Sequence, residues 1–438
     1  MRWRDIELFV VCTFLLLTIV EFIQVAVQIR IFGPNLLHPR IWQYLVMFVI
    51  LLGNPRAYLS KTMLIVYIYT LLYVLLALAG HYLPDRYWIV GTSPLKFLQI
   101  GWAVVVLLRE HYFRPEMQRE LRIVLKVAWL GFIVACLTSL YVVIRYPGAV
   151  RGAEIEYIQE DVRSFRSLGM GGYGFISSLP FLIPILFYFY RHSLQKNKRQ
   201  ALFFLFLIVL FLYTSYRGVI IAPFIIAVAV FLLSALGRGR FRSNIIIMLI
   251  LVTIFALLPN SFIGGTLIDL SEVVPNRDMS QKFRDMGVSY ITGLEIVSSA
   301  EGSGNTVEHR ASRVAVNIEQ FMKYPILGAG TPGNPHLFWL NQLAHFGLVG
   351  FFPLVWLILT LVSYMRRFDD EFKFYYLLCV LAYVVLLMVK ASGGYHFLLA
   401  VFFIAPGSYY LTHDFPQPAP VEQFSRCNAR METFAVKG

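Results

Sequence analysis

Apolar runs close to the length that crosses a bilayer recur along this whole chain. A spanning helix needs roughly 20 apolar residues. Such runs can be read at about 6–27, 41–53, 62–80, 93–108, 123–144, 172–190, 201–215, 218–236, 244–258, 337–362, 375–391 and 395–411. They predict an all-α integral membrane protein of about twelve transmembrane helices, with a large external loop, about 259–336, between the ninth and tenth. Composition agrees, since 58% of the 438 residues are hydrophobic and only 14% are charged, against about 25% charged in a soluble domain. The first run, from Ile6, is long and lacks a small-residue cleavage site, so it reads as a retained helix. No internal repeat or linker divides residues 1–413, which are expected to form one membrane domain. The tail 414–438, with Pro416, Pro418 and Pro420, is expected to be cytoplasmic and disordered.

The net charge of +13 does not call for a nucleic-acid partner, because membrane proteins concentrate Lys and Arg in cytoplasmic loops. With Arg2 and Arg4 inside, every second loop is short and basic: Arg56 and Lys61; Arg109 to Arg122; Arg191 to Arg199; Arg238 to Arg242; Arg366 to Lys373. An even count of spans then returns the C-terminus inside. Cys12, Cys136, Cys379 and Cys427 stand apart, with no Cys-x-x-Cys, so neither a zinc site nor a disulfide framework is expected.

This topology leaves a set of arginines outside, against the charge bias: Arg163 and Arg166 after the fifth span, Arg217 in the tight turn Thr214–Gly218, and Arg310 and Arg313 in the long polar stretch. An ionisable group kept between two apolar runs, as Arg217 is, is a functional-site hypothesis. Arg310 and Arg313 begin a segment of helical spacing and fall on one face. A guanidinium makes the bidentate contacts that suit phosphate, so these residues could hold a diphosphate. A salt bridge to Glu308 or plain solvation is the competing reading.

His336 follows Asn334 and Pro335, residues favoured at an N-cap and a first helical position. A histidine in that first turn would be held neutral by the helix dipole, the form a general base needs. An interfacial anchor is the alternative. Gly347 and Gly350 would let another helix approach closely, and His345 reads as a packed core histidine. No DxD pair, P-loop, GxGxxG, HExxH or nucleophile elbow occurs, so no metal or cofactor is expected. Arginines plus one base suit a donor whose sugar is already joined to a diphosphate leaving group, because cations can hold the charge that grows there.

The stretch Arg310 to Gly350 resembles the O-antigen ligase and polymerase family of bacterial membrane glycosyltransferases. That family has an arginine, then a Pro-x-x-Gly-x-Gly element, here Pro325 to Gly330. It then has a histidine with two spaced glycines, here His336, Gly347 and Gly350. A Ser-Arg-Gly type turn is matched by Ser215-Tyr216-Arg217-Gly218 with one residue inserted. The family places Asn, Ser or Gln after the histidine, where this chain has Leu337.

The resemblance implies a GT-C-like membrane fold in the bacterial inner membrane, with both termini cytoplasmic and a periplasmic site. It implies metal-independent, inverting transfer of an undecaprenyl-diphosphate-linked glycan to an acceptor hydroxyl, with O-antigen ligation to lipid A-core in lipopolysaccharide synthesis favoured. His336 would be catalytic, Arg217 and Arg310 would bind the donor diphosphate, and Arg313, Arg163 and Arg166 would assist. Membrane lipids are the remaining expected partners. A repeat-unit polymerase of the same family, or a transporter or flippase of lipid-linked glycan, stays open.

Overall fold

The computed structural model describes residues 3–20, 23, 38–81, 100–145, 169–217, 221–237, 307–329, 337–389 and 395–415, with isolated helical positions between 265 and 288. The span expected at 244–258 lies outside these residues. Among the described residues 90% are helical and there is no strand. Helices satisfy every backbone polar group internally, which a bilayer demands.

The helices are α1 Trp3–Ile19, α2 Pro39–Gly53, α3 Lys61–His81, α4 Ile100–Tyr112, α5 Gln118–Arg145 and α6 Tyr173–Leu194. Then come α7 Lys198–Arg217, α8 Ile221–Leu236, α9 Val307–Lys323, α10 Phe338–Ser363, α11 Asp370–Val389 and α12 Tyr395–Leu411. Five segments are long and apolar enough to cross a membrane: Pro115–Arg145, Gly174–Leu194, Lys198–Tyr216, Phe338–Arg367 and Asp370–Met388. Shorter apolar helices form α2, α3, α8 and α12.

Helix α6 is apolar all round, the pattern of a helix with no wet face. Over its most apolar 18 residues 83% are buried, packed against α7, α8, α11 and α12. Phe181 meets Phe397 edge-on at 5.1 Å between ring centroids, a contact worth about 1 kcal/mol beyond its buried area. The apolar segments of α7 and α10 are only 39% and 44% buried. Their exposed Leu202, Phe206, Phe352 and Leu359 give the bundle an apolar outer surface suited to lipid.

Ring contacts set the directions of the helices. Tyr188 of α6 lies 4.9 Å from Phe372 of α11, and Phe181 lies 5.9 Å from Tyr383, so α6 and α11 run antiparallel. Trp339 Nε1 donates to the Val384 carbonyl at 3.0 Å, which places the start of α10 beside the end of α11. The Cys136 thiol donates to Thr214 Oγ1 at 3.1 Å, tying the last turn of α7 to α5. One end of the bundle therefore gathers the start of α6, the end of α7, the start of α10 and the end of α11.

The opposite end carries most of the described basic residues and both described termini. Arg4 approaches Glu120 at 3.7 Å, and Arg122 pairs with Asp414 at 2.8 Å. Tyr364 sits between two guanidinium groups, Arg109 at 4.5 Å and Arg367 at 4.6 Å from its ring centroid. Glu7, buried in α1, takes His111 Nε2 at 2.5 Å and the Tyr112 hydroxyl at 3.1 Å. His111 Nδ1 lies 3.2 Å from the Asn54 side chain. This cluster joins α1 to α4 and to the end of α2.

One expectation is corrected here. The turn expected at Thr214–Gly218 does not begin at Thr214, because α7 stays helical through Arg217. Thr214 and Ser215 are fully buried, and the tie from Cys136 holds Thr214 in the packed helix.

Candidate functional site

The site is built around a break in α10. Helix α9 ends where Pro325 approaches, since proline lacks an N–H and disfavours helix in the residue before it. A turn over Pro325–Leu327 follows, closed by the Gly328 amide donating to the Tyr324 carbonyl at 2.9 Å. Gly328 then takes φ +74, a conformation that costs glycine almost nothing.

This turn lies against Gly347, which has φ 60 and ψ −167 and interrupts α10. In an unbroken helix the Leu348 and Val349 amides would bond to carbonyls four residues back. Instead they donate to the Pro325 and Ile326 carbonyls, at 2.9 and 3.1 Å. The Ala344 carbonyl, released by the break, accepts from the Ala329 amide at 2.8 Å. The break therefore leaves these groups paired, as irregular backbone at membrane depth requires. A Cβ on Gly347 would fall 2.3 Å from the Ile326 oxygen, and one on Gly328 would fall 2.3 Å from the His345 oxygen. Gly347 was expected to admit a neighbouring helix; what it admits is a turn. Nine residues of helix separate Gly347 from Phe338, so the turn sits roughly 14 Å below the start of α10.

The first segment of α10 is fixed on its other sides as well. Trp339 bonds to α11, as above. The Tyr73 hydroxyl of α3 donates to Gln342 Oε1 at 2.8 Å, and its ring stacks on Phe346 at 3.8 Å. The helix begins at Phe338, with Leu337 as its cap at φ 71 and ψ 60. The start expected at Asn334–Pro335 is therefore not the one used, because a left-handed Leu337 cannot belong to the helix. Leu337 is the one non-glycine residue with positive φ among the described residues. Strain of that kind clusters at functional sites, and here it falls on the residue after His336.

The expectations for His336, Arg163 and Arg166 lie outside the described residues. Arg217 is the last residue of α7, at the end of the bundle where α10 starts. Arg310 and Arg313 lie in the first two turns of α9, which packs against α10. The backbone thus carries Arg217 and the start of α10 to one end, and joins the Arg310 helix to α10 through the glycine interlock.

Asn317 was not among the sequence candidates, although it continues the spacing of Arg310 and Arg313 along α9. It is 1% exposed. The signal was present in the sequence as a polar stripe at helical period, but which face of α9 turns inward is decided by tertiary packing.

The chain matches no family model, no curated protein and no solved structure.

An open groove of about 510 Å³ at the basic end is lined by Arg119, Arg122, Lys126 and Asp414 among others. Asp414 is already engaged there: the Gln118 amide and then Arg122 hold its carboxyl below the usual range. The groove lies at the end of the bundle away from the α10 start.

Proposed function

We propose that this protein is a membrane glycosyltransferase that moves a glycan from a polyprenyl diphosphate to an acceptor hydroxyl, with O-antigen ligation to lipid A-core the favoured reaction. The observation that carries the reading is the interlock of Pro325–Ala329 with the α10 break at Gly347. It makes one rigid element of the two glycine motifs on which the resemblance rests, and it joins the Arg310 helix to the helix that follows His336.

The charge distribution supports an orientation. The end with the described termini carries Arg114, Arg119, Arg122, Arg191, Arg366 and Arg367, and basic loops stay cytoplasmic. The Arg217 end then faces the periplasm of a bacterial inner membrane, where a twelve-span, GT-C-like fold would place its site.

In this reading Arg217 and Arg310 bind the donor diphosphate, with Arg313, Arg163 and Arg166 as further cationic contacts. His336 accepts the proton of the acceptor hydroxyl. The acceptor oxygen bonds to the anomeric carbon as the bond to the diphosphate oxygen breaks, and the centre inverts. The developing charge on the leaving diphosphate is held by the arginines.

A second reading, transport of the lipid-linked glycan, draws on the broken α10, since interrupted helices are common in transporters. Here the Leu348 and Val349 amides and the Ala344 carbonyl freed at the break are bonded by the 325–329 turn, so these groups do not offer an ion site.

The test is transfer by purified protein in detergent, with EDTA present, from undecaprenyl-diphosphate glycan to lipid A-core. Product supports ligation. Chain growth on lipid-linked repeat units alone makes the protein a polymerase. No product in either assay, with carrier movement in proteoliposomes, makes it a transporter.

A further inference from the structure

Helix α9 carries a stripe of which the mechanism above uses only the first residues. Arg310, Arg313, Asn317, Gln320 and Tyr324 recur three or four residues apart, and on a helix they fall within an arc of roughly 80°. At Asn317 this face is turned inward. Asn317 is 1% exposed, whereas Val316, Ile318 and Met322 on the remaining surface are 48%, 46% and 71% exposed.

Neither the oxygen nor the nitrogen of the Asn317 amide has a hydrogen-bond partner. One turn further on, the buried Gln320 Oε1 also lacks one, as does Asn341 Oδ1 on the first segment of α10, the helix against which α9 packs. Buried polar groups in folded proteins are almost always paired. Three amides left open on two neighbouring helices mark a place completed by something else.

The chemistry of these atoms narrows what that is. Amide oxygens accept, so the missing partner must donate, and the Asn317 nitrogen needs an acceptor as well. A diphosphate only accepts and cannot pair the oxygens. A sugar hydroxyl both donates and accepts.

We propose that Asn317, with Gln320 one turn on and Asn341 on the helix packed against α9, is the sugar-recognition element of the site and binds hydroxyls of the glycan. The proposal rests on the lipid-diphosphate glycan reading. Arg310 lies two helical turns before Asn317 on the same face. The stripe would take the diphosphate at its arginine end and the first sugars at its amide end.

The test is affinity of the full-length protein in detergent for two probes: undecaprenyl diphosphate, and the same carrier bearing N-acetylglucosamine. Asn317→Leu keeps the branched shape and heavy-atom count of the side chain and removes the amide. It is expected to weaken binding of the sugar-bearing probe at least tenfold while leaving the bare carrier unchanged. Thermal stability should hold or rise, because an unpaired buried amide is gone. Gln320→Leu, at a half-buried position, carries the same expectation should the Asn317 variant not fold. Equal effects on both probes, or no effect on either, would overturn the proposal and leave the transfer reading intact. Failure of the wild type to bind either probe would remove that reading and this proposal with it.

Discussion

Gly328 and Gly347 meet backbone to backbone. A Cβ on either would fall 2.5 Å from the amide nitrogen of the other, and both residues have positive φ. The contact joins a turn to a broken helix so closely that neither position has room for a side chain.

Alanine at either glycine is therefore expected to be destabilising, through left-handed strain and overpacking together, by about 3 kcal/mol. Thermal unfolding in detergent measures it. Because the two residues touch, the double variant should cost less than the two single losses combined, with a coupling of roughly 1 kcal/mol or more. Simple additivity would mean that they do not act as one contact.

Leu337 holds a left-handed conformation beside His336. Asparagine tolerates that conformation far better than leucine. Leu337→Asn should raise stability by about 1 kcal/mol, read as a higher melting temperature. A lower one would show that the leucine side chain contributes more than the strain costs.

Tyr73→Phe keeps the ring stacked on Phe346 and removes the donor to Gln342, which is 9% exposed. The orphaned amide oxygen should cost about 1–3 kcal/mol. On the proposed reading transfer should fall too, because Gln342 lies on the helix that follows His336 in the chain. An unchanged melting temperature would show that the bond contributes little to the fold.

At the other end, Glu7→Leu leaves His111 and Tyr112 without their acceptor. Leaving two buried donors without a partner costs about 1–3 kcal/mol each. The double variant Glu7→Leu, His111→Leu should recover part of that loss. A single variant as stable as the wild type would remove the cluster from the account of how α1 is held.

Much of the bundle was legible because lipid imposes a length and a period on its helices. The α10 and α11 runs could be read almost to their ends. The break at Gly347 could not, because nothing in a long apolar run says that its amides will bond to carbonyls some twenty residues earlier. The start of α10 misled for a related reason: Asn334 and Pro335 have the local chemistry of a helix start, and Leu337, two residues on, turns the chain the other way. The helix that carries Arg310 and Arg313 was legible by its spacing. Asn317 was not, since its importance lies in being buried without a partner, which only packing reveals.

The most direct measurement separates donor binding from turnover in three variants, Arg217→Ala, Arg310→Ala and His336→Ala, with undecaprenyl-diphosphate glycan as donor. The account predicts that each arginine variant binds the donor at least tenfold more weakly, about 1.4 kcal/mol. His336→Ala should bind it normally and lose transfer by 10²-fold or more, the scale of a lost general base. Normal transfer by the His336 variant, or undiminished donor binding by both arginine variants, would contradict it.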